Sequence, residues 1–364
     1  MKTAVCLLAL INVAHLLAQT QQHSLSGAVL DAETNFPLAN ANVFIDKSLM
    51  GSATDSSGLF HLHNVQPGTY DLVASMIGYE TQKREIIITS DSKTQIVFKL
   101  RPILLQGPEV VVTAEHEKQW QRDLEKFTAL LLSTTQNVKE TKILNPQVLV
   151  FSENQEGQFE AAAQAPLLIE NQALGYKLDF VLEDFVATAQ NLSYSGSTKF
   201  EELTPKSDEQ NEKWQKNRRK AYLGSLRHFL AIVGSTPPRI DAKLKEEGFE
   251  VFSFKHVWER ENMRAAEPVN WRTFSRRGKT PDEILLSFPD YLGVKYLNEH
   301  EERNFLIQYH IEGDPRPQES WLKLEQGPVK IDRLGRYQSD AALTKFGYWA
   351  WERLADMLPF EYKP

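Results

Sequence analysis

Apolar and polar positions alternate between residues 24 and 101 with the period of two that a half-buried β-strand requires. Short alternating runs begin at Leu25 and end at Leu100, and turn signatures separate them. Residues 55–58 (DSSG) offer a capping Asp and a Gly for positive φ, and residues 66–69 (QPGT) have the Pro–Gly order of a type II turn. Six or seven short strands with regular turns predict a β-sandwich.

After the sandwich, helical and strand-like periods are mixed. An apolar stripe at Leu124, Phe127 and Leu131 predicts a helix over residues 114–132, with Thr113 as its N-cap. The other predicted elements are strands near residues 147–151, 158–163, 176–182 and 192–200 and a longer helix over residues 208–232. Because these elements follow no βαβ rhythm, the predicted fold class is α+β: an N-terminal sandwich followed by a mixed α+β region.

The last third of the chain predicts another helix and two hairpins. Residues 280–283 (TPDE) have the cap, the N1 proline and the capping-box glutamate of a helix start. The predicted hairpins pair Val294 and Tyr296 with Phe305, Ile307 and Tyr309, and residues 321–325 with residues 329–332. Residues 332–337 (DRLGRY) resemble the earlier DSSG turn, so we expect a positive φ at both Gly58 and Gly335.

Residues 1–18 have the pattern of a secretory signal peptide, with Lys2 before a short apolar stretch and Ala18 before a polar one. Leu16 is a poor −3 residue, so the exact cleavage site stays open. No other window reaches eighteen apolar residues, and we therefore expect no transmembrane segment in the mature chain. The expected location is the periplasm or the outer membrane, with the cell surface as an alternative.

Composition narrows the chemistry further. The only cysteine, Cys6, lies inside the predicted signal, so the mature chain excludes disulfides, cysteine nucleophiles and thiolate metal sites. The net charge of −7 lacks the basic excess of a nucleic-acid binder, and no nucleic-acid partner is expected. The basic run at residues 216–220 is expected to be a solvated helix face and not a phosphate contact.

No candidate catalytic, cofactor-binding or metal-binding residue stands out, and no cofactor is expected. The chain has no Gly-rich phosphate loop, no G-x-S-x-G elbow and no calcium loop. Two histidine patterns have metal-like spacing: His61 with His63, and His256 with Glu259, which His300 or His310 could complete. Strand alternation explains both patterns better, because it turns His61 and His63 to solvent and puts His256 and Glu259 on opposite faces.

The motifs of the first region resemble a known family. They are Ser26-Gly27-Ala28-Val29, Pro37-Leu38-Ala39-Asn40-Ala41-Asn42-Val43, Thr54-Asp55-Ser56-Ser57-Gly58-Leu59-Phe60, Pro67-Gly68-Thr69-Tyr70-Asp71-Leu72 and Ile77-Gly78-Tyr79. Together they resemble the carboxypeptidase regulatory-like domain. The resemblance implies a transthyretin-like sandwich that is itself non-catalytic. Such domains follow metallocarboxypeptidase catalytic domains and also begin many TonB-dependent outer-membrane receptors of Gram-negative bacteria.

Two further resemblances concern the rest of the chain. Residues 104–114 resemble the segment that joins such a sandwich to the plug of a TonB-dependent receptor, but the remainder is too short and too helical for a receptor. Segments around Lys142, Ile169 and Arg219, with the C-terminal stretch, resemble uncharacterised exported bacterial envelope proteins that carry the same N-terminal domain. This second resemblance implies no known activity.

These observations lead to an expected organisation and function. The expected organisation is a signal peptide (residues 1–18), a sandwich (24–101), a linker (102–114) and an α+β region (115–364) with a subdivision near 235–245 as an option. The favoured function is a non-catalytic, exported cell-envelope protein that binds or assembles with an envelope protein or a glycan. The alternative is an unrecognised hydrolase in the α+β region; a TonB-receptor accessory or relative is less favoured.

Overall fold

The structure is a computed structural model, and it describes residues 23–89, 95–103, 114–189, 191–235, 239–255, 267–279, 283–337 and 342–364. The predicted signal peptide, most of the predicted linker, the cap residue Thr113, and His256 with Glu259 lie outside the described residues. Three large hydrophobic cores organise the described part of the chain, and a small fourth cluster lies beside them.

The first unit is the predicted sandwich. Its strands are β1 (His23–Asp31), β2 (Asn42–Ile45), β3 (Gly51–Ala53), β4 (Leu59–Val65), β5 (Gly68–Ser75), β6 (Gln82–Ile88) and β7 (Gln95–Leu100). One sheet has the order β4-β1-β7 and the other β3-β2-β5-β6. The β1–β7 pair is parallel and the other pairs are antiparallel. Alternate residues of β4 and β7 point inward, so Phe60 and Phe98 are buried at the centre.

The second unit is an antiparallel sheet covered by a helix. Its elements are α1 (Ala114–Leu132), β8 (Thr141–Ile143), β9 (Leu149–Glu153), β10 (Phe159–Ala163), β11 (Leu167–Asn171), β12 (Tyr176–Ala187) and β13 (Leu192–Glu202). β12 is long enough to pair with β11 along its first half and β10 at its far end, while β13 lines its other edge. The predicted stripe of α1 is buried at Phe127 and Leu131, which pack on this sheet.

Helix α2 (Asp208–Tyr222) closes the second unit. The ring of Trp214 packs directly on Gly175: a Cβ atom on residue 175 would lie 2.3 Å from that ring. The Nε1 of Trp214 donates to the carbonyl oxygen of Gln172 at 2.7 Å. Arg218, part of the predicted solvated face, is instead buried: its Nε donates to the carbonyl oxygen of Leu174 at 2.7 Å. The basic run is therefore only partly a solvent-exposed face.

The third unit packs two sheets against α3 (Leu226–Ser235) and α4 (Ile240–Glu246). One sheet has the order β15-β14-β18-β19-β21, formed by β14 (Phe249–Phe254), β15 (Glu267–Pro268), β18 (Tyr291–His300), β19 (Pro317–Leu324) and β21 (Leu343–Gly347). The other is β16-β17-β20, formed by β16 (Ser275–Arg277), β17 (Glu283–Leu286) and β20 (Val329–Asp332). Short helices α5 (Trp271–Phe274), α6 (Arg303–Gln308) and α7 (Tyr348–Trp351) connect the strands.

After α7 the chain returns to the second unit. Leu354, Ala355 and Leu358 are buried in the core beneath α1. Residues 357–364, which we call the C-terminal segment, then lead back toward the sandwich. With 25% helix and 43% strand, and with sheets and helices mixed outside the sandwich, the fold is α+β as predicted.

Two predicted helices are wrong in extent or kind. The predicted helix over residues 208–232 is divided into α2 and α3, because Gly224 has φ of +80° and packs against the ring of Tyr296. Glu283 begins strand β17, which lies between β16 and β20, so the capping pattern at residues 280–283 does not lead into a helix. In both cases contacts from distant parts of the chain outweigh local preference.

Both predicted hairpins are also wrong. Residues 303–308 form α6, and β18 pairs with β14 and β19 instead. β19 pairs with β18 and β21, whereas β20 pairs with β17, so residues 321–325 and 329–332 belong to different sheets. The apolar alternation identified these segments as strands but carried no information on their partners.

Candidate functional site

The sandwich is attached to the second unit by the turn between β2 and β3, residues 46–50, which we call the docking turn. The N–H of Lys47 donates to the carbonyl oxygen of Thr198 at 2.7 Å. The N–H of Phe200 donates to the carbonyl oxygen of Ser48 at 2.9 Å. The docking turn therefore adds to β13 like a short parallel strand. Asp46 strengthens the joint, because its Oδ1 accepts from the N–H of Thr198 at 2.8 Å.

The C-terminal segment completes this joint. The N–H of Phe360 donates to the carbonyl oxygen of Lys47 at 2.9 Å, and the Glu361 carboxylate accepts from the N–H of Leu49 at 3.1 Å. Burial of the Glu361 carboxyl raises its pKa. The docking turn is therefore held between β13 on one side and the C-terminal segment on the other.

Arg227 of α3 fixes the C-terminal segment from the third unit. Its Nη1 donates to the carbonyl oxygen of Pro359 at 2.6 Å, and its Nη2 donates to those of Phe360 and Tyr362 at 2.7 and 2.9 Å. Burial lowers the pKa of Arg227. A guanidinium that bonds three backbone oxygens of one segment holds it in a single path.

A small cleft, with a volume of about 90 Å³, lies between the sandwich, the third unit and the C-terminal segment. We call it the interdomain cleft. It is lined by Ile45, Asp46, Lys47, Thr69, Tyr70, Asp71, Glu85, Glu283, Lys330, Ile331, Asp332, Arg336, Tyr337 and Phe360. Its position is what makes it a candidate site, because ligand sites occur preferentially at domain interfaces.

An arginine stacked on a tyrosine forms one wall of the interdomain cleft. The guanidinium carbon of Arg336 lies 4.3 Å from the ring centre of Tyr70, and its Nε donates to Asp332 Oδ2 at 2.5 Å. The Tyr70 hydroxyl donates to the carbonyl oxygen of Gln66 at 2.8 Å, and burial raises its pKa. The turn that carries Arg336 depends on Gly335, whose φ is +76° as predicted.

The charged groups of the interdomain cleft differ in how far they are already paired. Asp46 is 3.0 Å from Lys83 Nζ, and Glu85 is 3.8 Å from Lys330 Nζ. Asp71 is half-buried, and burial raises the pKa of its carboxyl although Lys83 opposes the shift. Among the described residues the Asp71 carboxylate accepts no hydrogen bond. It is thus an acceptor available to a ligand.

A second cluster of ionisable groups lies where the second and third units meet below α7. Lys220 Nζ is 3.3 Å from Glu299 and 3.2 Å from Glu302. Close by, burial raises the pKa of Glu352, and burial raises the pKa of Asp356 to about 7. Asp356 is anchored by Asn137, whose Nδ2 donates to its Oδ1 at 2.8 Å. We call these groups the acidic cluster.

The histidine patterns of the sequence do not converge in the described residues. His61 and His63 are exposed on β4, with nearly parallel rings 6.5 Å apart, as strand alternation predicts. His300 and His310 are exposed, and His256 lies outside the described residues. Within the described ranges no group of three or more His, Cys, Asp or Glu side chains could hold a metal ion.

The sequence did not identify one buried histidine. His228 lies on α3, and its Nδ1 accepts a hydrogen bond from the N–H of Gly224 at 3.2 Å. Burial lowers the pKa of His228 to about 4. The residues of the interdomain cleft were not singled out either, except for the turn at Gly335. They come from six separate stretches of the chain, and no local spacing could have grouped them.

Comparison with known proteins identifies the first unit. A sandwich of a three-stranded and a four-stranded sheet defines its architecture, and residues 25–112 match the family model of the CarboxypepD_reg-like domain. The chain therefore carries an N-terminal carboxypeptidase regulatory-like domain, as its motifs indicated. No curated protein matches the chain. No helix among the described residues is long and apolar enough to cross a membrane.

Solved structures show only distant similarity. A candidate carbohydrate-binding protein from Bacteroides uniformis is 13% identical over 50% of this chain and 70% of its own, with a TM-score of 0.19. A candidate membrane-associated protein of unknown function from Bacteroides fragilis is 14% identical over 51% of this chain and 84% of its own, with a TM-score of 0.18. Scores this low support no inference about the function of this chain.

Proposed function

We propose that this is an exported cell-envelope protein that acts by binding, without catalysis, and that the interdomain cleft is its binding site. The observation that carries this proposal is the attachment of the sandwich at the docking turn. Backbone hydrogen bonds join the docking turn to β13 of the second unit and to Phe360 of the C-terminal segment. Arg227 of the third unit holds the same segment, so the sandwich is fixed beside the third unit. Since the walls are held in place, the cleft is a preorganised site.

Export is supported by residues 1–18, whose n-region, apolar stretch and small residue at Ala18 suit a secretory signal. We propose the periplasm or the outer membrane as the location. We further propose the sandwich (24–101), the linker (102–114) and the α+β region (115–364) as the domain organisation. The two large cores after residue 115 support a subdivision of that region, and they favour a break close to Gly224 over the option near residues 235–245, because α3 and α4 share one core.

The partner in this proposal is an envelope protein or a glycan. The carboxypeptidase regulatory-like domain supports a binding role, because the family resemblance implies an accessory and not a catalytic module. The interdomain cleft supports it independently: Tyr70, Tyr337 and Phe360 supply aromatic surface, while Asp71 and Arg336 supply polar groups. Such a mixture fixes the orientation of a ligand as well as its affinity.

A hydrolase is the second candidate, and the acidic cluster favours it. Paired carboxyls with raised pKa, here Glu352 and Asp356, are typical of acid–base catalysis. They lie away from the interdomain cleft, so the two candidates can be separated. The hydrolase would be favoured if the purified protein hydrolyses a substrate and if both Glu352→Gln and Asp356→Asn abolish that hydrolysis.

A photo-crosslinking residue at Glu85 tests the binding proposal in living cells of the native organism. Glu85 is exposed at the rim of the interdomain cleft, so a crosslinker there reaches a bound partner without disturbing the core. Glu209, exposed on α2 and absent from the cleft lining, is the matched control position. We expect a defined envelope component captured from position 85 and not from position 209.

Two results would contradict the proposal. One is equal capture from both positions, which would mean that the cleft is not the binding surface. The other is recovery of the protein in the cytoplasmic fraction with residues 1–18 intact, which would remove the envelope location.

A further inference from the structure

We propose that the outer edge of β6 binds an extended, basic segment of a partner protein as an added strand, and that a Lys or Arg side chain of this segment enters the interdomain cleft toward Asp71. This inference rests on the proposed binding function and names the class of its partner. It follows from the strand edge, from the side chains along that edge, and from the size and charge of the cleft.

β6 is the last strand of its sheet. It pairs with β5 along residues 82–88, and no described strand pairs with its other side. Within the described part of the chain its backbone has hydrogen-bond partners only on β5. Such an edge presents N–H and C=O groups that can pair with an extended peptide.

The side chains along this edge change in character toward the interdomain cleft. Ile86 points into the core of the sandwich, so alternation puts Glu85 and Ile87 on the outer face of the sheet. The residues from Lys83 to Glu85 are charged, and charges protect a strand edge from unwanted pairing. Ile87 is 53% exposed and lies opposite Thr69, which lines the cleft. The apolar part of the edge is therefore the part beside the cleft.

The size of the interdomain cleft suits one side chain. Its volume of about 90 Å³ has room for a few water molecules. Sites for whole small molecules are larger, at roughly 300–1,000 Å³. A strand that stays outside the cleft and inserts a single side chain fits this volume.

The charge of the interdomain cleft favours a cation. Its lining has five carboxylates and three cationic side chains. Asp46 is paired with Lys83, and Asp332 is paired with Arg336. Asp71 forms no ion pair or side-chain hydrogen bond with a described residue. An ammonium or guanidinium group in the cleft would gain Asp71 as its partner, whereas an anion would meet an excess of negative charge.

A strand added to β6 brings a side chain within reach of Asp71. Asp71 lies opposite Glu85 in the β5–β6 pair, so a residue added opposite Glu85 continues the same row across the sheet. Neighbouring strands are about 4.8 Å apart, which puts the added strand about 10 Å from Asp71. The long side chains of Lys and Arg span this distance. Glu85 keeps Lys330 as its own partner at 3.8 Å.

The same geometry defines the sequence motif of the partner. Side chains two residues apart in a strand lie on one face. The residue two positions from the Lys or Arg therefore lies beside Ile87 and should be apolar. The expected motif is a basic and an apolar residue separated by one residue, within an extended segment.

Fluorescence anisotropy with C-terminally labelled peptides and the purified full chain without residues 1–18 tests this inference. The probe is the hexapeptide TVTKTV, whose lysine has a valine two positions away on either side, so the direction of the added strand does not matter. The peptide TVTETV reverses the charge, and TVPKPV lacks backbone donors that a strand requires. We expect TVTKTV to bind, and each of the other two peptides to bind at least tenfold more weakly.

Variants of the protein test the two contacts separately. Asp71→Asn should weaken binding of TVTKTV about tenfold, because a charged acceptor becomes a neutral one. Ile87→Thr should weaken it about fivefold, since only the half of this side chain that is still exposed can gain from burial. Val97→Thr is the matched control, because Val97 is 44% exposed on β7 of the other sheet. It should bind TVTKTV like the wild type, and the melting temperature shows whether each variant is folded.

Several results would overturn the inference. They are no binding of TVTKTV, equal binding of TVTETV or TVPKPV, and binding by Asp71→Asn or Ile87→Thr that is as tight as binding by Val97→Thr. A wild-type dimer that Ile87→Thr converts to a monomer would also overturn it, because a second copy of the chain would then cover the edge of β6. These outcomes are distinct from failure of the proposed function. If crosslinking from position 85 still captures an envelope component while TVTKTV does not bind, the cleft remains a binding site and only the partner class is wrong.

Discussion

Asp356 gives the chain a pH dependence that can be predicted with its sign. Burial beside Glu352 and Glu302 raises the pKa of its carboxyl from 3.8 to about 7 in the folded protein. The folded state therefore holds the proton more tightly than the unfolded state does. Stability associated with this group is fully present below pH 3.8 and is lost as the pH rises toward about 7.

The size of the effect follows from the pKa difference. A shift of this size corresponds to about 4 kcal/mol at most, at 1.36 kcal/mol per pKa unit. Because Glu352 and Asp356 interact, the free-energy cost of ionising them is shared between the two carboxyls. We therefore expect removal of the Asp356 charge to recover about 2 kcal/mol of stability. Asp356→Asn removes the charge and keeps an oxygen that can accept from Asn137.

Urea unfolding between pH 4 and 8, followed by tryptophan fluorescence, measures this prediction. The variant and the wild type should have similar midpoints near pH 4, and the variant should become the more stable of the two as the pH rises. Glu212→Gln, at an exposed position of α2, controls for loss of one surface charge. Parallel midpoints for Asp356→Asn and the wild type across the whole range would refute the reasoning.

Three further predictions concern the fold. Gly58→Val should lower the melting temperature of the sandwich more than Gly78→Val does. Both glycines have positive φ, so a valine at either position costs about 1–3 kcal/mol of backbone strain. Only at Gly58 would the added Cβ also lie 2.7 Å from a backbone oxygen. Equal effects would mean that packing at Gly58 is unimportant. Arg227→Ala should free the C-terminal segment, because three carbonyl oxygens lose their donor; limited proteolysis should then remove residues 357–364, and an unchanged digestion pattern would contradict the role given to Arg227. A fragment of residues 21–102 should unfold cooperatively, since its core is its own, and a broad melt in differential scanning calorimetry would show that it needs the docking contacts.

Local rules predicted much of the first half of the chain. The period of two in residues 24–101 identified the sandwich strands, and the apolar stripe placed α1 at the bounds the structure has, Ala114–Leu132. The expected positive φ at Gly58 and Gly335 is confirmed, at +72° and +76°. These features are decided within a few residues by backbone geometry, so the sequence alone was enough to find them.

The partners of strands and helices were decided only by the tertiary structure. Nothing local to β20 distinguishes β17 from β19 as its neighbour, and the strand at Glu283 formed despite a helix-start pattern. The interdomain cleft depends on the same kind of contact, because Tyr70, Arg336 and Phe360 lie far apart in the chain and line one cleft only in the folded protein. Periodicity records which face of an element is buried, whereas the element that buries it lies far away in the sequence.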